Sequence, residues 1–418
     1  MTGPVIAFVG LAMVSALILA APAARRTGLG PWHPAMAWLV LEIVFFGIGS
    51  TVLAIADGRT GPALYVGAAV LVFALAVWAS ERLARRRVED APPTVAGVGQ
   101  AAPIRPLAVI ALALLGGLAL LPTLLNVGIP FLAGDITGAR IEVGGLDLQL
   151  LRVTLPAAVL VTVLGAVRTA GRKARLVAVA AIVIAVAAEL ALASRYLAAE
   201  LAAAIVLGLA IGRRPIPGRV LAVVGLGVAV LFVGIGILRA YDRAAGREVA
   251  FGVERTINRI LLVEPRTLDA LQAAIPAERP FFDGLTWLRR VAPLVGRDDV
   301  PNLGYWIYPR LFPAQATPGY AAPGLMGEAW ANFGWLGLSV FALLGLLVER
   351  LGALLALRRR AVADVAAAAL LTLFVARTHA LGLNGLAVVV AIVTVWRVLV
   401  APVDGLARDV RMAASWRT

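Results

Sequence analysis

The 418-residue chain has no cysteine, only two histidines and a single lysine, Lys173. Without cysteine there is no disulfide, no thiolate nucleophile and no Cys-ligated zinc. His33 and His379 are separated by most of the chain, which argues against a histidine metal cage. Charge is also scarce: 15% of residues are charged and 61% hydrophobic, with a mean hydropathy of +0.92. A soluble domain carries about a quarter charged residues, so a soluble enzyme and a disordered tail are both excluded. What remains is a polytopic membrane protein. The formal net charge of +14 would suggest nucleic acid in a soluble chain. Here the arginines sit in short loops between apolar runs, where they set orientation, and the nucleic-acid reading is discarded.

A membrane-crossing helix takes about 20 apolar residues. Apolar runs near 3–23, 35–56, 61–80, 106–126, 151–168, 176–194, 197–212, 219–238, 325–349, 361–377 and 383–400 predict about eleven such helices. They divide the chain into transmembrane helices 1 to 8 over 1–238, a large loop over 239–324 with short helices, and helices 9 to 11 with a basic tail over 325–418. The first run has the length of a signal h-region, but Arg25 and Arg26 follow it and no basic residue precedes it, so it is read as a span. Basic clusters occur in every second loop: Arg25-Arg26, Arg82 to Arg87, Arg168 to Arg175, Arg213-Arg214, Arg350 to Arg360, and the tail. Placing them in the cytoplasm puts the N-terminus and the 239–324 loop outside and the C-terminus inside. The stretch 88–105, rich in Pro, Gly and Ala, reads as a linker.

Ionisable residues within spans are costly and point to function. Glu189, Glu200 and Arg195 fall toward the outer ends of the sixth and seventh spans, Glu328 at the outer end of the ninth, and Arg377 and His379 at that of the tenth. Glu42 and Asp364 fall deeper, without an assigned role. The outer loop carries eleven Arg against nine Asp and Glu. Arg255 and Arg259, four apart on an expected helix from Val253 to Ile275, repel unless an anion lies between them or Glu254, Glu264 and Asp269 pair with them. Guanidinium forks suit phosphate. The apolar stretch Phe281 to Leu288 reads equally as an interfacial segment or as packed loop core. In Pro318 to Gly334, Pro and Gly start a helix on which Glu328 and Asn332, four apart, share a face. There Glu328 either takes a proton from a sugar hydroxyl or pairs with an arginine to fix the loop.

Three places resemble the bacterial oligosaccharide repeat-unit polymerases of the Wzy type, related to the O-antigen ligases. Pro323-Gly324 followed by Gly327-Glu328-Ala329-Trp330-Ala331-Asn332-Phe333-Gly334 looks like that family's Pro-rich approach to a Glu, aromatic, Asn-Phe-Gly pattern, with Trp330 where Tyr is commoner. Ser194-Arg195 looks like its Ser-Arg turn, and the late outer loop with Phe282-Asp283-Gly284 and Pro301 to Pro313 follows its layout. The resemblance implies an all-helical membrane glycosyltransferase of the C-type (GT-C) fold in the bacterial cytoplasmic membrane. It would polymerise polyprenyl-diphosphate-linked oligosaccharides on the outer face, without cofactor, metal or nucleotide sugar, with a chain-length regulator as a possible protein partner alongside membrane lipids. On this reading Glu328 and Arg195 are the catalytic residues. Arg239, Arg255, Arg259 and Arg377 would hold the diphosphate, and Asn332, Trp330 and Tyr320 the glycan. An O-antigen ligase is the nearest rival; the ligases carry a histidine in the large loop, and this loop has none. A flippase for the same lipid is a third reading.

Overall fold

A computed structural model describes residues 2–89, 124–132, 146–169, 171–192, 195–212, 258, 261–289, 299–313, 319–357, 362–378 and 382, with scattered positions in 114–122 and 218–234. Among the described residues all regular structure is helical. The expected spans over 106–126, 219–238 and 383–400 lie largely or wholly outside them. The chain forms two compact units, one from 1–95, 257–356 and 374–387, the other from 96–256, 357–373 and 388–418.

In the first unit, α1 (Thr2–Thr27), the combined segment Pro34–Asp57 and α4 (Thr60–Glu89) come from the first three apolar runs. Each holds a stretch long and apolar enough to cross a membrane. Small residues Ala16, Ala20 and Ala23 of α1 are buried, which lets helix backbones approach closely. The second segment starts as α2 (Pro34–Glu42) with proline in its first turn, where no amide partner is needed, and with His33 Nδ1 accepting the Ala35 amide at 3.2 Å. A π turn (Ile43–Ile48) leads to α3 (Gly49–Asp57), which ends at Gly58 with φ 67°, a left-handed cap. Trp38 stacks on Phe73 at 4.0 Å and lies 6.0 Å from Phe341 at the centre of this unit.

The end of the unit bearing the arginines is tied by ions. Arg26 pairs with Glu349 and stands 3.9 Å from Glu81, while Ser80 Oγ donates to Glu349 at 2.8 Å. Both carboxylates are buried. His33 is fully buried beside them, its ring filling the space a Cβ on Gly352 would need.

Two parts of the first unit depart from the expected layout. The loop helix is α8 (Val263–Ala274), following α5 (Leu146–Thr169), α6 (Arg172–Ala191) and α7 (Arg195–Ile211) of the second unit. It does not stand wholly beyond the ends of the spans. Asp269 pairs with Arg59 and Gln272 abuts Gly61, but at the other end the Leu261 carbonyl and Pro265 press on Gly49. Gly49 belongs to the middle third of the 24-residue segment Pro34–Asp57, so the start of α8 is level with the middle of a membrane-length helix. The second departure is the course of the ninth span, which as Gly324–Ala353 is also long and apolar enough to cross a membrane. After α9 (Leu303–Leu311), the run 325–349 forms α10 (Gly324–Phe333), a 3-10 turn (Gly334–Gly337) and α11 (Leu338–Leu357). Gly334 takes φ 56° and ψ −131°, closed to residues with a Cβ, and the Phe281 ring occupies the place of that Cβ. The chain doubles back so far that Gly337 touches the Ala329 carbonyl. In a straight helix they would be about 12 Å apart at 1.5 Å per residue.

In the second unit α5, α6 and α7 bury a common core of Leu151, Leu155, Val159, Ala185 and Leu201. Leu160 packs on Gly208, and α12 (Val362–Ala376) brings Ala369 to the same glycine.

Candidate functional site

The two stretches singled out by sequence, Phe281 to Leu288 and Gly327 to Gly334, are docked on each other in the first unit. Asp283 and Gly284 both take positive φ, 51° and 86°, and the Leu285 amide donates to the Phe282 carbonyl at 2.9 Å, closing a type I′ turn. Asp-Gly is a preferred pair for that turn. The turn then hangs on the C-terminal end of α10: the amides of Phe282 and Asp283 donate to the carbonyls of Ala331 and Asn332, each at 3.1 Å. The last carbonyls of a helix have no partner within it, and here the loop satisfies them.

Asn332 is the clamp. Fully buried, its Oδ1 accepts from the Gly284 amide at 3.0 Å and the Thr286 amide at 3.4 Å. Its Nδ2 donates to Thr286 Oγ1 at 2.6 Å and to the Glu328 carbonyl at 2.7 Å. The shared face expected for Glu328 and Asn332 is thus real, but it serves a backbone contact, and the amide is spent within the protein. Of the two readings of Phe281 to Leu288, packed loop fits Phe282 and Thr286, which are buried, whereas Leu288 is exposed.

With the loop in place, Trp287 Nε1 donates to Glu328 Oε2 at 2.8 Å. Glu328 is half-buried. Gly382, with φ 62°, lies against the carboxylate so closely that a Cβ there would overlap it. Tyr320 lies within electrostatic reach of Glu328 and of the exposed Arg289, its ring 5.2 Å from that of Tyr305. Part of the Tyr320 ring is open to solvent, yet protein crowds its hydroxyl. That burial, with Glu328 and Tyr305 adding and Arg289 opposing, pushes the phenol above its ordinary value, so Tyr320 stays a neutral hydrogen-bonding group. The result is a partly open carboxylate, oriented by an indole and within electrostatic reach of the Tyr320 phenol, which itself lies near Tyr305 and Arg289. Such a group can accept a hydroxyl proton or hold a sugar by hydrogen bonds and ring contacts.

The other expected site residues fall elsewhere. Trp330 is core: its Nε1 donates to the Ile275 carbonyl at 3.2 Å and its ring meets Tyr65, Phe281 and Trp335. Arg377 is buried, and its neighbour Thr378 accepts from Trp38 Nε1 at 2.8 Å. Trp38 is the fifth residue of α2, toward the Arg26 end. The expected place of Arg377 at the outer end of the tenth span is therefore corrected to a deep one, since α12 stops at Ala376 before reaching that end. Arg195 opens α7 in the second unit. Its side chain, and all of Arg239, Arg255 and Arg259, lie outside the described residues. Trp287, Tyr305, Arg289 and Gly382 were not predicted as site residues. Only Trp287, an indole beside the Asp-Gly turn, carried a signal. Among the described residues no cluster of three or more Asp, Glu or His side chains could hold a metal. No family model, curated protein or solved structure matches the chain.

Proposed function

We propose that the protein is a membrane glycosyltransferase that polymerises polyprenyl-diphosphate-linked oligosaccharide units at the outer face of a bacterial cytoplasmic membrane. The observation that carries this reading is the Glu328 carboxylate, half-buried, oriented by Trp287 and within electrostatic reach of Tyr320. It belongs to the end of the first unit where Trp330 meets Tyr65, near the start of α4, away from Arg26 and Glu349. The positive-inside rule puts that end outside. In the transfer, an acceptor hydroxyl oxygen bonds to the anomeric carbon of the growing glycan as the bond from that carbon to the diphosphate breaks. The hydroxyl proton passes to Glu328, and the diphosphate departs with the bonding electrons onto arginine. Arg195, Arg255 and Arg259 are our candidates for that anion, with Arg239 in support; the deep position of Arg377 removes it from this set. Stabilising the leaving charge with positioned guanidiniums is then the largest catalytic term. The GT-C fold, the count of eleven spans and a chain-length regulator as partner belong to the same proposal.

The test is incubation of the purified protein with polyprenyl-diphosphate-linked repeat units and separation of the products by size. A ladder of lipid-linked multimers is expected, and Glu328→Gln should abolish it while leaving donor binding near the wild-type level. Weakened binding with residual turnover would assign Glu328 to structure instead. If no ladder forms with a correct unit, the polymerase reading fails and transfer to another acceptor, as by a ligase, takes its place.

A further inference from the structure

Helix α8 carries three charges, Glu264, Arg266 and Asp269. Asp269, three residues after Arg266, is spaced to pair with it but pairs with Arg59 instead. Glu264 is buried, two residues back and so on nearly the opposite side of the helix. Among the described residues no carboxylate lies within ion-pair distance of Arg266 and no side chain bonds to its guanidinium. Yet Arg266 is exposed.

Its depth makes that exposure unusual. The adjoining Pro265 and the Leu261 carbonyl press on Gly49, the first residue of α3. At 1.5 Å per residue Gly49 lies about 12 Å below Asp57, the last residue of that helix. From there α8 climbs until Asp269 reaches Arg59 and Gln272 reaches Gly61, past the end of α3. The Arg266 backbone is thus about 10 Å inside the outer end of a membrane-length segment. Hydrocarbon offers a guanidinium no partner, so a cation open at this depth marks water or an anion beside it. One and two turns above, on the same face, stand Ala270 and the exposed Ala273, whose methyl groups leave the column over Arg266 clear.

We propose that Arg266 binds the phosphate group of a lipid in the outer leaflet. Headgroup phosphates lie just outside the hydrocarbon, and the arginine stem can rise along Ala270 and Ala273 to meet one. The guanidinium then donates to two phosphate oxygens at once. The N-terminal end of α8 adds partial positive charge from below. The site is separate from the Glu328 carboxylate: Leu271, which packs on Gly327 beside Glu328, is buried on another side of α8. This inference does not rest on the proposed transfer activity.

The test is native mass spectrometry of the full-length protein in maltoside micelles. It is incubated with phosphatidylglycerol, with undecaprenyl phosphate, or with diacylglycerol as a phosphate-free control. At saturation Arg266→Gln should hold one phosphate lipid fewer than the wild type, with Tm unchanged because the side chain has no protein partner to lose. Arg266→Lys should keep that lipid with about tenfold weaker affinity, since the two-pronged geometry is gone. Loss of undecaprenyl phosphate alone identifies a site for a carrier lipid, and loss of phosphatidylglycerol, alone or with it, identifies a general headgroup site. An unchanged count for both lipids, or the same loss with diacylglycerol, overturns the assignment.

Discussion

Replacing Asn332 by alanine should unlatch the loop that orients Glu328 while leaving the helices in place. The side chain is fully buried and satisfies the Gly284 amide, the Thr286 hydroxyl and the Glu328 carbonyl. Thr286 Oγ1, which accepts from Asn332 Nδ2, keeps its own proton for another bond, the Glu328 carbonyl keeps its helical partner, and the 3.4 Å contact to the Thr286 amide is weak, so the Gly284 amide carries most of the loss. A buried polar group left without a partner costs about 1–3 kcal/mol, so roughly 2 kcal/mol is expected here. At about 1.4 kcal/mol per tenfold, the turn at 282–287 should open roughly 30 times more often. Hydrogen exchange read by mass spectrometry measures this directly. Peptides spanning Phe282 to Trp287 should exchange much faster in Asn332→Ala, while peptides from α1 and α4 stay unchanged. Asn332→Asp keeps the acceptor for Gly284 but turns a negative charge on the Glu328 carbonyl, and should fall between the two. Unchanged exchange in the turn, or a uniform rise across the protein, would refute the clamp.

Gly382→Ala places a methyl group onto the Glu328 carboxylate at a positive φ and should abolish glycan transfer, the left-handed backbone costing about 1–2 kcal/mol of stability; wild-type transfer rates would remove Glu328 from the reaction. Trp287→Phe keeps the ring contact with Phe333 but loses the donor to Glu328. A charge-assisted bond of about 1.5–3 kcal/mol predicts a tenfold or greater fall in the rate of ladder formation. Burial, with the Arg26 charge adding, lowers His33 to about 4, so it folds neutral and the unfolded chain binds the extra proton. Stability should therefore drop by roughly 3 kcal/mol as pH falls from about 6.5 to about 4, with no such loss above that window, and His33→Gln should flatten the slope of Tm against pH.

The sequence made the first three membrane-length segments legible to within a few residues, because apolar length alone defines them. It also placed Glu328 and Asn332 on one face. What it hid was depth. Residues 263–274 carry Glu264, Arg266 and Asp269 and so read as a solvent helix, yet Gly49, with no side chain, leaves a notch into which Leu261 and Pro265 fit. A glycine in an apolar run gives no sign of which segment will fill it. The break at Gly334 was partly visible, since Asn-Phe-Gly is the way a helix ends. The apolar run continues through it, and hydropathy cannot register a change of backbone direction. Trp330 illustrates the same limit: an aromatic near a candidate carboxylate suggested a sugar platform, but its indole is spent on the Ile275 carbonyl and the surrounding rings.

The ion cluster at Arg26 bears on the order of assembly. Domains emerge from the ribosome N-terminus first, so α1 and α4 meet long before Glu349 is made. During that interval Arg26 has Glu81 at hand, 3.9 Å away in the finished fold, and the closer pairing with Glu349 forms only when α11 arrives. Glu81 therefore acts as a placeholder, holding a charge that would otherwise wait at the helix ends without a partner. Its loss should show in yield and insertion efficiency, measured by pulse labelling, more than in the stability of the protein once made.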